Sequence, residues 1–116
     1  MTTTTALRVA VIVGSTREGR FGPTVADWFT SQVRRRSDLD VDLIDLADFG
    51  FSPVLQRHRG PVETEFAERI ARADGYVVVT PEYNHGYPAP LKHAIDLCHA
   101  EWRRKAVAFV SYGGVS

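Results

Sequence analysis

The sequence has 116 residues, with 14 basic and 14 acidic side chains and 44% hydrophobic residues. This length predicts a single domain, residues 1–116, and the balanced charge excludes a general attraction to nucleic acid or to a membrane surface. The single cysteine, Cys98, excludes an internal disulfide, and no apolar run approaches the length of a membrane span. We therefore expect a cytoplasmic protein whose threonine-rich start, residues 1–6, is a flexible tail.

The first recognisable element is a short apolar run, residues 9–13, which predicts a buried strand ending at Gly14. A polar loop follows, and Pro23 marks the start of a helix because proline is favoured at the first helical position. This strand–loop–helix turn directs free N–H groups and the positive end of a helix dipole at one point. Two hydroxyl groups and two arginines in the loop predict that it binds an anion, most simply a phosphate ester. The alternative is an ordinary solvated turn.

Two better-known phosphate-binding patterns do not match this loop. The dinucleotide pattern G-x-G-x-x-G fails because Thr16 stands two residues after Gly14. The triphosphate pattern G-x-x-x-x-G-K-[ST] also fails, because Arg20 and Phe21 replace its lysine and hydroxyl residue. What remains is a glycine–serine turn followed by two arginines.

The rest of the chain alternates predicted helices and strands. The helix after Pro23 has an apolar face made by Val25, Ala26, Trp28, Phe29 and Val33. Residues 41–46 predict an edge strand, residues 47–61 an irregular stretch, and residues 61–73 a helix. Residues 76–80 predict a central parallel strand, followed by a helix over 90–98 and a strand over 106–110. This order predicts a parallel sheet with right-handed crossovers and helices on both faces.

The loops after the third and fourth strands are the other candidate binding segments. In such sheets a ligand lies outside the carboxyl ends of the strands. The loop over residues 81–90 holds prolines that stiffen the backbone and two tyrosines with flat faces and polar tips. The loop over 111–114 holds two glycines that let the backbone approach a ring closely. Together with the first loop, they predict a flat, phosphorylated ligand.

Three stretches resemble one known family. They are G-S-T-R-E-G-R at 14–20, P-E-Y-N at 81–84 with L-K-x-A-I-D at 91–96, and S-Y-G-G at 111–114. Together they resemble the NAD(P)H-dependent FMN reductases of the flavodoxin-like superfamily, and the likeness runs from Val9 onward. The resemblance implies a three-layer α/β/α fold with a parallel sheet of strand order 2-1-3-4. The family's fifth strand is missing, as if the C-terminal part of the fold were lacking.

The resemblance also implies a set of cofactor-binding residues. The FMN phosphate would be held by Ser15, Arg17, Arg20, Phe21 and Gly22. The isoalloxazine ring would be lined by Pro81, Glu82, Tyr83 and Asn84. Its other side would be closed by Ser111, Gly113 and Gly114. The sequence departs from the family at Arg20 and Gly86, where serine is common, and at His93, where asparagine is usual.

The implied activity is a reductase in which hydride passes from NADPH or NADH through flavin N5. The acceptor would be a small molecule: a quinone, an azo compound, a free flavin or a metal ion. The resemblance implies a homodimer and no catalytic side chain, because the chemistry belongs to the flavin. We expect no metal site, since His58, His93 and His99 show no metal-ligand spacing with carboxylates or with Cys98.

Two other classes of function stay open at this stage. One is a flavodoxin-like electron carrier without a pyridine-nucleotide site; such carriers are typically acidic, and the balanced charge argues against one. The other is a non-catalytic subunit with the same fold. A missing fifth strand would leave residues 106–110, which have the composition of a central strand, at an open edge. We expect either a longer chain or a second copy to cover that edge.

Overall fold

The computed structural model describes residues 6–83 and 86–113. Four strands form one parallel sheet, with β1 over Leu7–Val13, β2 over Leu39–Asp45, β3 over Gly75–Pro81 and β4 over Ala106–Tyr112. The helices are α1 over Gly22–Val33, α2 over Pro61–Arg72 and α3 over Ala89–Leu97. Two single turns of 3-10 helix cover Leu46–Asp48 and Ala100–Trp102. The predicted elements are all present, with bounds that differ by one or two residues.

The strand order is β2-β1-β3-β4, as predicted. The central strands β1 and β3 are almost wholly buried over their carboxyl-terminal halves, which accounts for their continuous apolar runs. The pairing aligns Val13 with Val79 on one side and with Asp45 on the other. The ends of these three strands, and the loops that follow them, therefore lie side by side.

Two apolar cores lie on opposite faces of the sheet. One packs Phe66 and Ile70 of α2 and Leu91 of α3 against Ile12 and neighbouring residues of the sheet. The other packs Ala26 of α1 against the opposite side chains of β1 and β3. The result is a three-layer α/β/α arrangement.

The buried face of α1 differs from the prediction. Trp28, predicted to lie on the apolar face, is 60% exposed. The buried residues are Gly22, Ala26, Thr30 and Val33. Spaced mainly four apart, they form a narrow stripe of mostly small side chains, and this stripe lets α1 lie close to the sheet. The bulky tryptophan is left on the solvent side.

Strand β4 forms an open edge of the sheet. Within the described residues it pairs only with β3, and its side chains Val107 and Phe109 are 46% and 65% exposed. They border an apolar groove of about 270 Å³ whose other lining residues are Ile12, Phe66, Val78, Leu91, Ala94, Ile95 and Trp102. A strand with the composition of a central strand therefore presents apolar side chains to solvent.

Candidate functional site

A cleft of about 440 Å³ lies at the carboxyl ends of β1, β3 and β4. Its lining comes from the three loops that the sequence singled out: Arg17, Gly19, Arg20 and Phe21; Pro81, Glu82 and Tyr83; Tyr112 and Gly113. The loops meet because parallel strands place their carboxyl ends on the same edge of the sheet. The structure therefore brings together most of the predicted cofactor-binding residues.

The loop between β1 and α1 supplies unused hydrogen-bond donors. The N–H of Gly14 donates to the carbonyl of Val79 at 2.9 Å, and the next bonded N–H, that of Thr24, donates to the carbonyl of Phe21 at 3.1 Å. Between them, in the described structure, no backbone N–H of residues 15–22 donates to another protein group. No side chain caps the start of α1 either. Free N–H groups at a helix N-terminus are the arrangement that holds a phosphate or carboxylate.

Two glycines give the loop its shape. Gly19 has a φ of 69°, a left-handed conformation that glycine adopts at little cost. Gly22 is needed for close approach, since a Cβ atom there would lie 2.6 Å from Ser15 Oγ and 2.7 Å from the Tyr112 hydroxyl. The ring of Tyr112 also meets the ring of Phe21 edge-on, with centroids 6.0 Å apart.

Arg17 is the cation that remains available in this cleft. It is exposed, and its guanidinium carbon lies 5.6 Å from the centre of the Tyr83 ring, a cation–π distance. Within the described residues its guanidinium makes no ion pair or hydrogen bond with another protein group. The contact joins the loop after β1 to the loop after β3. It leaves the hydrogen-bond donors of Arg17 free for an anionic ligand.

Arg20, the second predicted phosphate ligand, is already bound by the protein. Its two terminal nitrogens each lie 2.6 Å from one carboxylate oxygen of Asp45, and one of them also donates to the carbonyl of Ser15 at 2.7 Å. The hydrogen bonds from this carboxylate hold the pKa of Arg20 above its ordinary value. Sequence reasoning missed Asp45; its signal was an acidic residue at the carboxyl end of a strand, beside the predicted anion loop.

A backbone hydrogen bond joins the loop after β3 to the end of β4: the N–H of Glu82 donates to the carbonyl of Tyr112 at 3.1 Å. Within the loop after β3, Tyr83 and Gly86 exchange N–H···O bonds of 2.8 and 2.9 Å. Ser111 is exposed near the end of β4. The predicted contacts of Asn84 and Gly114 lie outside the described residues.

The cleft matches the chemistry of a flat ligand with a terminal phosphate. Anion donors and Arg17 lie at its first loop, whereas the aromatic rings of Tyr83 and Tyr112 lie at the other two. Across residues 6–83 and 86–113, no helix has the length and apolar character needed to cross a membrane.

A parallel sheet of order 2-1-3-4 between two layers of helices defines a flavodoxin-like fold. The solved NADH:FMN oxidoreductase EMOB, in its apo form, matches 95% of this chain with a TM-score of 0.80 at 24% identity, and the match covers 60% of that chain. The flavoenzyme FerB from Paracoccus denitrificans matches 91% of this chain with a TM-score of 0.73 at 26% identity, again over 60% of its own length. The predicted fold is confirmed.

The chain belongs to the NADPH-dependent FMN reductase family, whose sequence profile matches residues 7–116. It is 40% identical over 116 residues to an NAD(P)H-dependent FMN reductase of Schizosaccharomyces pombe, covering 92% of this chain and 58% of the relative. A quinone reductase of Escherichia coli is 38% identical over 93 residues, covering 78% of this chain and 49% of the relative. The chain thus spans about half to three fifths of the length of these curated relatives. The resemblance seen in the sequence is confirmed.

Proposed function

We propose that this protein binds FMN and acts as an NAD(P)H-dependent reductase that delivers reducing equivalents to a quinone or another small acceptor. The observation that carries the proposal is the set of unused N–H groups in residues 15–22, a loop that lines a cleft together with Tyr83. The relatives support it, since those of S. pombe and E. coli are named an FMN reductase and a quinone reductase.

We assign the phosphate end of FMN to the first loop. The donors there are the N–H groups of residues 15–22 and the guanidinium of Arg17, whereas the Ser15 hydroxyl is buried against that of Tyr112. The positive end of the α1 dipole adds to the attraction of a dianion. Arg20, Phe21 and Gly22 complete this loop and shape it.

We assign the ring end to the other two loops, with Pro81, Glu82, Tyr83 and Asn84 along one side and Ser111, Gly113 and Gly114 along the other. When bound, FMN supplies hydride acceptance and donation at N5, with NADPH or NADH as the source. The protein side chains bind and orient the ring, and none is proposed as a proton donor.

We further propose a single FMN-binding domain over residues 1–116 that works in the cytoplasm as a homodimer. The exposed Val107 and Phe109 of β4 mark an open apolar edge, which either a second copy or a longer chain would cover. The buried free thiol of Cys98 is in keeping with a reducing compartment.

The test is a titration of the purified protein with FMN, followed by absorption and fluorescence. We expect saturable binding, bleaching of the bound flavin by NADPH or NADH without oxygen, and ping-pong kinetics once a quinone is supplied. An FMN-loaded protein that neither nucleotide reduces would indicate an electron carrier. A folded protein that binds no FMN would indicate a non-catalytic member of the fold.

A further inference from the structure

The pair Arg20–Asp45 ties the anion loop to the neighbouring strand. Arg20 lies at the end of the loop and Asp45 at the end of β2, where Asp45 is aligned with Val13, the last residue of β1. Asp45 also accepts a hydrogen bond from the N–H of Ala47 at 3.1 Å, so the turn after β2 holds the carboxylate in place. Both side chains are mostly buried, with 18% and 19% of their surfaces exposed.

We infer that Arg20 and Asp45 are positioning residues for a phosphate-bearing ligand, and that they fix the anion loop rather than contact the phosphate. The inference rests on the proposed function, since it concerns how the FMN loop is held. We call the pair, with the Ser15 carbonyl that Arg20 also binds, the loop strap.

The loop strap sets the direction of the peptide between Ser15 and Thr16. In a trans peptide the C=O and the N–H point in opposite directions. Because Arg20 holds the Ser15 carbonyl at 2.7 Å, that oxygen cannot turn toward a bound anion. The Thr16 N–H is fixed on the opposite edge of the same peptide, where it has no partner among residues 6–83 and 86–113.

The loop has few other restraints. The side chains of residues 16–19 are exposed, and the N–H groups of residues 15–22 make no backbone hydrogen bond within the described chain. A bidentate arginine–carboxylate pair is among the stronger polar contacts available to a protein and adds a defined geometry. Its loss should therefore loosen the loop more than the rest of the domain.

The direction in which one substitution changes the affinity for FMN distinguishes this inference from a direct phosphate contact by Arg20. If Arg20 binds the phosphate, then Asp45 competes for the same guanidinium, and removing its negative charge should tighten FMN binding. If Arg20 positions the loop, removing the carboxylate charge should weaken FMN binding. In either case the affinity for riboflavin, which lacks the phosphate, should stay unchanged.

The first experiment compares Asp45→Asn with Asp42→Asn. Asp42 lies on the same strand and also accepts two hydrogen bonds from one arginine, here from Nε and a terminal nitrogen of Arg69. The side chains of Asp42 and Arg69 are 22% and 23% exposed, so Asp42 is a matched control away from the cleft. We expect Asp45→Asn to raise the dissociation constant for FMN about tenfold or more, the value of a charged hydrogen bond, and to leave that for riboflavin within about twofold. Asp42→Asn should change neither. Tighter FMN binding, or equal losses for both ligands, would overturn the inference.

The second experiment needs no flavin. Trypsin cuts after arginine, and the exposed Arg17 lies within the loop held by the strap. Asp45→Asn should speed cleavage after Arg17 about tenfold, whereas Asp42→Asn should not, with urea unfolding used to correct for any change in global stability. If the wild-type protein bound no FMN, the proposed function would fail, but the cleavage assay would still test whether the loop strap restrains the loop. An unchanged cleavage rate in Asp45→Asn would overturn it.

Discussion

The hydroxyl groups of Ser15 and Tyr112 lie 3.5 Å apart, so the loop after β1 and the end of β4 meet at the start of α1. Ser15 is 1% exposed, and both hydroxyls lie against Gly22. This contact joins the loop between β1 and α1 to the end of β4 through side chains alone. The loops of the cleft are thus mechanically linked, and a change at the point of closest approach should disturb all of them.

Gly22→Ala should destabilise the protein and weaken FMN binding. The new methyl group would lie within 2.7 Å of two hydroxyl oxygens and 3.1 Å from Val13, which costs about 1–3 kcal/mol for an overpacked site. Gly50→Ala is the matched control, because a Cβ atom at Gly50 meets no atom within 4 Å. Urea unfolding with and without FMN measures both effects. Equal behaviour of the two variants would show that the loop has room at Gly22.

Arg17→Ala should weaken binding of FMN and leave that of riboflavin almost unchanged. Charge-assisted hydrogen bonds to a phosphate are worth roughly 1.5–3 kcal/mol, and the guanidinium of Arg17 contacts the Tyr83 ring but makes no hydrogen bond or ion pair in the described structure. Arg34→Ala, on the exposed arginine after α1, serves as the control for a lost surface charge. Fluorescence titration gives the dissociation constants of FMN and riboflavin for the wild-type protein and for both variants. Parallel losses for both flavins would place Arg17 away from the phosphate.

Acid should destabilise the domain between about pH 4.5 and 2 through Glu101. The hydrogen bonds donated by Arg59 lower the pKa of Glu101 from 4.5 to about 2, so its contribution is complete above pH 4.5 and is lost as pH falls. Because the side chain of Arg59 is 37% exposed, solvent screening reduces this contribution to about 1 kcal/mol or less. Glu101→Gln should flatten the pH dependence of the unfolding free energy in this range. Glu68→Gln, on the exposed face of α2, should leave it unchanged.

Phe109→Lys should reduce self-association. Phe109 is 65% exposed on the open strand β4, and a lysine there would oppose pairing of the edge with another chain. Trp28→Lys is the control, because Trp28 is 60% exposed on α1 and lies away from the edge. Sedimentation velocity over a range of concentrations measures the result. A wild-type protein that stays monomeric throughout would contradict the proposed homodimer.

The strands could be predicted because each depends on local pattern, whereas their order was implied by the resemblance to the flavodoxin-like family. The continuous apolar runs of β1 and β3 predicted buried strands, and the partial alternation of β2 predicted an edge strand. The orientation of Trp28 could not be predicted in the same way. Apolar periodicity defines a broad face, whereas close packing on the sheet selects the smaller residues within it.

The loops of the site could be located from the sequence, but the partner of Arg20 could not. Spacing placed Arg20 in the anion loop, and its predicted role followed from its charge. Asp45 approaches it only because β1 pairs with β2 in a register that aligns their last residues. That register is a property of the folded sheet and cannot be derived from the loop sequence. Arg20, which the sequence predicts to be a free phosphate ligand, therefore forms an ion pair with Asp45 in the structure.

The all-parallel sheet has a consequence for how the protein folds. No two of its strands form a hairpin, and β1 can pair with β3 only after the chain has reached Gly75. Non-local pairing of this kind slows folding, because a long loop must close before any contact is gained. The cleft also needs Tyr112, near the end of the described chain. During synthesis the chain should therefore remain unable to bind its ligand until almost every residue of the sheet has left the ribosome.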